Sequence, residues 1–419
     1  MEIEQHGLDP VPETERTATW ADLFIIWGDI NLCLPSFVVG ALLIPALSWG
    51  EAVSVNFWGN LVVGVLIVLG GYFGTNTGYP AVIYGRKVFG YPVGQWFSTA
   101  LLLVSTLGWY AVMTAMTGEA LDMIIKEFTG FSSPVLMIIL VGILNSSTAV
   151  MGYQRIRWLD WLCTPLLSLL CIWLTFKVLG LITLPVAFQY HPTGSIGYAQ
   201  GMDLVIGGFI SGAFVASDFS RYARSNRDSW FGTFPGAFLV SFLLGLLGMM
   251  SVVATGDWNP VTVVQDLGMG IPALFFILMA NWTTNHSVLY SSGLALTNML
   301  PRHARWKNTF ICGVAGIVLA VAGLTDVLQS WLMLLSCVFS PLIGVVLTDF
   351  LIIKRTAGHT SVNVQAVIAV GAGIFLAKMT PPQYIASAVG LVSSSLIYII
   401  LKSPASEKQT GQRKNHPIG

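Results

Sequence analysis

Twelve apolar runs, each long enough to cross about 30 Å of hydrocarbon, leave this chain few ways to fold. They lie near 21–46, 53–75, 93–121, 133–151, 157–182, 201–220, 231–255, 267–299, 307–324, 327–351, 362–379 and 383–401. Backbone surrounded by lipid finds no water to bond with, so runs of this length must close their hydrogen bonds internally, as helices. The fold class is therefore all-α, a polytopic membrane protein with 12 transmembrane helices. Composition supports it: 54% of residues are hydrophobic and 10% charged, against roughly 25% charged in soluble domains. Lysine plus arginine equals aspartate plus glutamate, 20 of each, which argues against a nucleic-acid partner. The cysteines (Cys33, Cys163, Cys171, Cys312, Cys337) all fall inside apolar runs and have neither disulfide nor zinc spacing. Residues 1–19 are polar, so no cleavable signal peptide is expected.

The basic residues set the orientation. Seventeen of the twenty fall on one side if the amino terminus is cytoplasmic, from Arg16 through Arg221, Arg224 and Arg227 to Lys414. Lys126, Lys177 and Lys378 remain for the other side. Positive charge concentrates on the cytoplasmic face of membrane proteins, and an odd number of spans would scramble this bias. The expected organisation is a multi-pass protein of the cell (inner or plasma) membrane with both termini cytoplasmic. Its segments are a leading stretch 1–20, five helices over 21–182, five over 201–351, helices 11 and 12 over 362–401, and a tail over 403–419.

Two spans carry interruptions. The first reads Trp27-Gly28-Asp29-Ile30-Asn31-Leu32-Cys33-Leu34-Pro35-Ser36, where Pro35 removes a helical hydrogen bond at mid-membrane. The sixth reads Ile206-Gly207-Gly208-Phe209-Ile210-Ser211-Gly212, with glycines that loosen the backbone. Either alone is an ordinary kink. Five spans apart, they point to a 5+5 inverted repeat with discontinuous helices 1 and 6 and a binding site at the breaks.

The eighth span is the most polar. Ala280-Asn281-Trp282-Thr283-Thr284-Asn285-His286-Ser287 sits inside an apolar stretch from about Ile271 to Leu300. At helical spacing Ala280, Thr283, Thr284, Ser287 and Ser291 share a face, with Asn281 and Asn285 one turn apart beside it. Such groups at bilayer depth either bridge packed helices or line a site. Their density here favours a site. The histidines are scattered and no HExxH or GxSxG arrangement occurs, so an enzyme is not expected.

Four stretches resemble the nucleobase:cation symporter family, first class, and within it most closely the cytosine permeases. They are Pro10-Val11-Pro12 with Arg16, Thr77-Gly78-Tyr79-Pro80 through Gly85-Arg86-Lys87-Val88-Phe89-Gly90, Ser217-Asp218-Phe219-Ser220-Arg221-Tyr222, and Asn281-Trp282-Thr283-Thr284-Asn285 continuing to Leu289-Tyr290-Ser291-Ser292-Gly293. The resemblance implies the leucine-transporter fold and import of a nucleobase-like small molecule, with no cofactor beyond sodium as coupling ion and a monomer in the bilayer. It implies that Trp109 and Phe209 sandwich the base and that Asn285 reads its edge, with Thr106 and Gly208 beside it. It also implies sodium held by backbone carbonyls around Gly28 and Asn31 or Leu32, the Ala280 carbonyl, and the Thr283 and Thr284 hydroxyls. Cytosine permeases have glutamine at Thr106, serine at Gly208, asparagine at Ala280 and an acid at His286. These departures leave uracil, hydantoins, allantoin, purines or hydroxymethylpyrimidine open as substrates.

Asp29 lies about 12 Å deep in the first span at 1.5 Å per residue, where a charge is normally paired, neutralised or functional. Three readings stand: it binds substrate, it couples to the cation, or it partners His286 or Asn31. Pairing with His286 would make a proton-coupled permease. A substrate sensor on a transporter fold is the alternative from another class.

Overall fold

The structure, a computed structural model, describes residues 7–150, 153–194, 196–353 and 362–402. The tail over 403–419, with the Lys354–Arg355 pair, lies outside them.

The helices follow the apolar runs. In chain order they are α1 (Trp20–Asn31), α2 (Leu34–Ala41), α3 (Trp49–Thr77), α4 (Ala81–Phe89), α5 (Val93–Thr129) and α6 (Pro134–Ala149). Next come α7 (Tyr153–Leu179), α8 (Leu184–Phe188), α9 (Tyr198–Phe209), α10 (Gly212–Ser220), α11 (Asn226–Thr255) and α12 (Pro260–Asp266). The last are α13 (Gly270–Met299), α14 (Arg305–Val321), α15 (Leu328–Thr348), α16 (Val364–Met379) and α17 (Ala386–Lys402). Among the described residues six helices are long and apolar enough to cross a membrane, or seven if the bent α1–α2 pair counts as one span. Three shorter apolar helices, α6, α16 and α17, accompany them. The amide-and-hydroxyl stripe of α13 keeps its hydropathy below theirs.

The two interruptions differ. Between α1 and α2 the axis bends by 53°. In an unbroken helix the Pro35 ring would clash with the Asn31 carbonyl and leave it without a donor. Breaking at Leu32–Cys33 puts Pro35 in the first turn of α2, where no N–H is needed. The sixth span is milder than expected: Ile210 and Ser211, between α9 and α10, keep right-handed helical torsions. With glycines and no proline there, nothing forces the axis to turn.

The helices pack as two groups of four spans. In one, α11 lies against α1, α2 and α3, and α3 against α9 and α10. In the other, α5, α6, α13 and α14 pack on one another. Each group joins consecutive spans from the first half to the spans five places later, the pattern of a 5+5 repeat. Helix α7 bridges the groups through α1, α11 and α13, while α15, α16 and α17 pack together beside α9. Close approach within the first group depends on Gly70 and Gly74, where a Cβ would strike the Ala213 and Ser217 backbone of α10.

One end of the first group is strapped by the chain start. Arg16 donates to the Val11 and Thr75 carbonyls at 3.0 and 3.1 Å, and Ala18 bridges to Ala223. Arg221 donates to the Tyr290 hydroxyl (2.6 Å) and the Gly7 carbonyl (3.0 Å), while Asp218 accepts from Ala81 N–H at the start of α4. The stretches that carried the family resemblance thus meet in space.

Candidate functional site

Between the two groups, where α1 breaks, lies a narrow cavity of about 80 Å³. Four spans line it: α1–α2 through Trp27, Cys33 and Pro35, α5 through Thr106 and Trp109, α9–α10 through Gly208 and Phe209, and α13 through Thr284, Ser287 and Ser291.

Trp109 and Phe209 face each other with centroids 6.1 Å apart and planes 18° from parallel. A flat ring between them needs two van der Waals contacts of about 3.5 Å each, so the pair must part by about 1 Å to admit one. Trp331 of α15, which the sequence did not single out, meets Trp109 edge-on at 5.1 Å. A side chain at Gly108 would run into the Trp331 ring, so the glycine makes room for the brace.

The polar rim is unevenly committed. The Thr106 hydroxyl donates to the Leu102 carbonyl (3.0 Å), and Ser105 donates to Ser211 at the α9–α10 junction (2.7 Å). Ser287 and Ser291 line the cavity with buried hydroxyls that have no hydrogen-bond partner. Asn285, expected to read the substrate edge, is not among the lining residues. Its amide donates to Thr114 of α5 at 3.3 Å, and Asn281 donates to Thr117 (2.7 Å) and the Met113 carbonyl (3.2 Å). The two asparagines share the face of α13 that packs on α5, where they act as helix–helix bonds. The hydroxyl row, rotated about 100° per residue from them, turns to the cavity.

Beside Thr284 is an oxygen cluster. The Ala280 carbonyl accepts from the Thr283 and Thr284 hydroxyls at 2.9 and 3.1 Å, and Thr284 also reaches the Asp29 carbonyl at 3.5 Å. The Gly28 carbonyl still accepts from Leu32 N–H (2.7 Å). The Asn31 side chain turns to α11, where Ser241 donates to it at 2.6 Å, and Pro35 cannot donate to its carbonyl. Carbonyl and hydroxyl oxygens suit a hard monovalent cation. Among the described residues no three His, Cys, Asp or Glu side chains gather to hold a metal.

Asp29 lies outside the cavity lining. Thr164 of α7 donates to its Oδ1 at 3.0 Å, and its buried Oδ2 has no partner. The expected pairing with His286 is not formed. That ring stacks on Trp282, whose indole donates to Thr148 of α6 (3.0 Å), so it occupies another side of α13. Thr164 and Asp160, one turn apart in the fifth span, went unremarked in the sequence. An acid and a hydroxyl within an apolar run were the available signal.

An α-helical membrane protein with a small-molecule cavity at the break in a span, walled by aromatics and flanked by a carbonyl–hydroxyl cluster, is built as a transporter, not an enzyme. The family model described as a permease for cytosine/purines, uracil, thiamine and allantoin matches residues 10–401, and the chain belongs to this family, the nucleobase:cation symporters. It is 28% identical over 412 residues to the cytosine permease of Escherichia coli strain K12, covering 96% of this chain and 95% of that one. To the hydantoin permease of Microbacterium maritypicum it is 23% identical, covering 83% and 75%. Among solved structures it resembles Mhp1, a nucleobase-cation-symport-1 family transporter in a closed conformation with bromovinylhydantoin bound, with a TM-score of 0.84 at 20% identity over 98% and 97% of the two chains. That likeness establishes a shared fold.

Proposed function

We propose that the protein imports a nucleobase or closely related planar heterocycle, cytosine-like in shape, by sodium symport and alternating access. It would sit in the cell (inner or plasma) membrane with both termini cytoplasmic, each chain a complete transport unit. The observation that carries this reading is the near-parallel Trp109–Phe209 pair opposite the partnerless hydroxyls of Ser287 and Ser291. Aromatic faces suit a flat ring at low entropic cost, and hydroxyls can donate to or accept from its edge. Asn285 stands behind this row, its own Oδ1 still without a partner.

Thr284 gives the reading its coupling. It lines the cavity and belongs to the oxygen cluster with Asp29 and Ala280. Sodium held by Thr283, Thr284, the Ala280 carbonyl and the carbonyls at the α1 break would fix α13 against α1. That fixes one wall of the substrate cavity, so each ligand lowers the cost of ordering the site for the other. Asp29 is bonded to Thr164 and the His286 ring is stacked on Trp282, so this pair lends no support to proton coupling. Gly208 and the internally bonded Thr106 add no free polar group to the cavity, which favours a substrate range that includes hydantoins, allantoin, uracil, purines or hydroxymethylpyrimidine.

The test is a thermal-shift panel of these heterocycles on the purified protein, in sodium and in choline. A true substrate raises the melting temperature by mass action, and more so in sodium. Trp109→Ala is expected to weaken that ligand by about tenfold or more. An unchanged response in Trp109→Ala would show that the cavity is not the binding site, and equal responses in sodium and choline would remove sodium coupling.

A further inference from the structure

We propose that Asp29 and Asp160 hold a second sodium ion, adjoining the cluster formed by Thr283, Thr284 and the Ala280 carbonyl. The inference rests on the sodium coupling proposed above and adds a site to it.

Asp160 lies on α7 one turn before Thr164, on the same face as Cys163 and Leu167, which pack against Ala280 and Leu32. That face therefore looks onto the α1 break and α13. Asp160 is fully buried, and neither carboxylate oxygen has a hydrogen-bond partner. It lies within electrostatic reach of Asp29, which is equally buried and has its Oδ2 free. Thr164, one turn after Asp160 on α7, donates to the other Asp29 oxygen at 3.0 Å.

Two buried acids with three partnerless oxygens are costly to ionise unless positive charge joins them. The described residues supply none. No lysine, arginine or histidine among the described residues hydrogen-bonds to either carboxyl. On α1, Asp22 is an acid as well and is held by Thr19 and the Trp161 indole. On α11, Asp228 is paired with Arg224, and on α13, His286 faces α6. Cys33 and Cys163 are the other titratable groups near the pair. The threonine cluster consists of neutral oxygens, so one sodium there leaves one carboxylate uncompensated. A second monovalent cation between Asp29 Oδ2 and Asp160, with the Thr164 hydroxyl as a further oxygen, balances the charge. Carboxylate and hydroxyl oxygens are the donors a hard cation takes. The site lies beside the first, so filling it also fixes α7 against α1.

The experiment measures bound sodium directly, on the full chain purified in detergent, by equilibrium dialysis against radioactive sodium with choline as competitor. The wild type is expected to bind about two sodium ions per chain, with a sigmoidal rise of melting temperature with sodium. Asp160→Asn keeps the side-chain volume, and it is expected to bind about one, with a hyperbolic rise. Thr164→Val should weaken the second ion alone and serves if Asp160→Asn does not fold. A wild type that binds a single sodium, including the case in which a proton occupies the acid pair, overturns the second site and leaves the first intact. Two ions retained in Asp160→Asn overturn it as well. No sodium bound at all sinks the sodium reading itself.

Discussion

Ser287 and Asn281 illustrate how two polar side chains on one helix come to opposite uses. Asn281 is fully buried, and its amide is spent on Thr117 and the Met113 carbonyl. Ser287 is nearly as buried, yet its hydroxyl points at the cavity with nothing to bond. Removing the first breaks the bonds between helices, while the Thr117 hydroxyl keeps its own bond to the Met113 carbonyl at 2.6 Å. Asn281→Ala should therefore cost about 1–2 kcal/mol of stability and leave the ligand-induced rise in melting temperature in place. Ser287→Ala removes a group with no protein partner, so its stability without ligand should stay within about 0.5 kcal/mol of the wild type. Its affinity for the heterocycle should fall by roughly tenfold. Thermal melts of both variants, with and without ligand, check the pair. Loss of ligand response in Asn281→Ala alone would mean the roles are reversed.

At the scale of the element, a proline and a glycine run proved to be different devices. Pro35 forbids a continuous helix through Asn31, and the chain responds with a 53° bend beside which the Asp29 carbonyl meets the Thr284 hydroxyl at 3.5 Å. The glycines before Ser211 permit a bend without demanding one, and α9 runs into α10 with helical torsions. Restoring the missing N–H should let the first span straighten. Pro35→Ala is expected to keep the fold, since Pro35 lies in a first turn. It should weaken the sodium-dependent rise in melting temperature by about tenfold in sodium concentration. A sodium titration of that variant decides it: an unshifted midpoint would mean that the break does not set the cation cluster.

For the whole molecule, the outlying helices are tied to the interrupted spans through single buried side chains. Asp203 of α9 accepts from Ser336 of α15 and from the Ala386 and Ser387 N–H groups that open α17, with the Ser387 hydroxyl at 2.6 Å. It is thus a carboxylate seated at the amino terminus of a helix from the far end of the chain. Asp203→Ala should cost about 3 kcal/mol by leaving those donors unsatisfied, read as a lower melting temperature, with less of the loss recovered in Asp203→Asn. The sequence on its own determined where the helices run, the depth of the polar stripe in the eighth span, the break at Pro35 and the family, because each depends on local hydropathy, backbone chemistry or short motifs. Tertiary structure alone decided which side of α13 meets the cavity, that Asn285 faces α5, that Trp331 braces Trp109, and that Asp29 answers to Thr164 and Asp160 instead of His286. Helical periodicity fixes the angles between side chains on one helix, whereas the rotation of that helix about its axis is set by the neighbours packed around it.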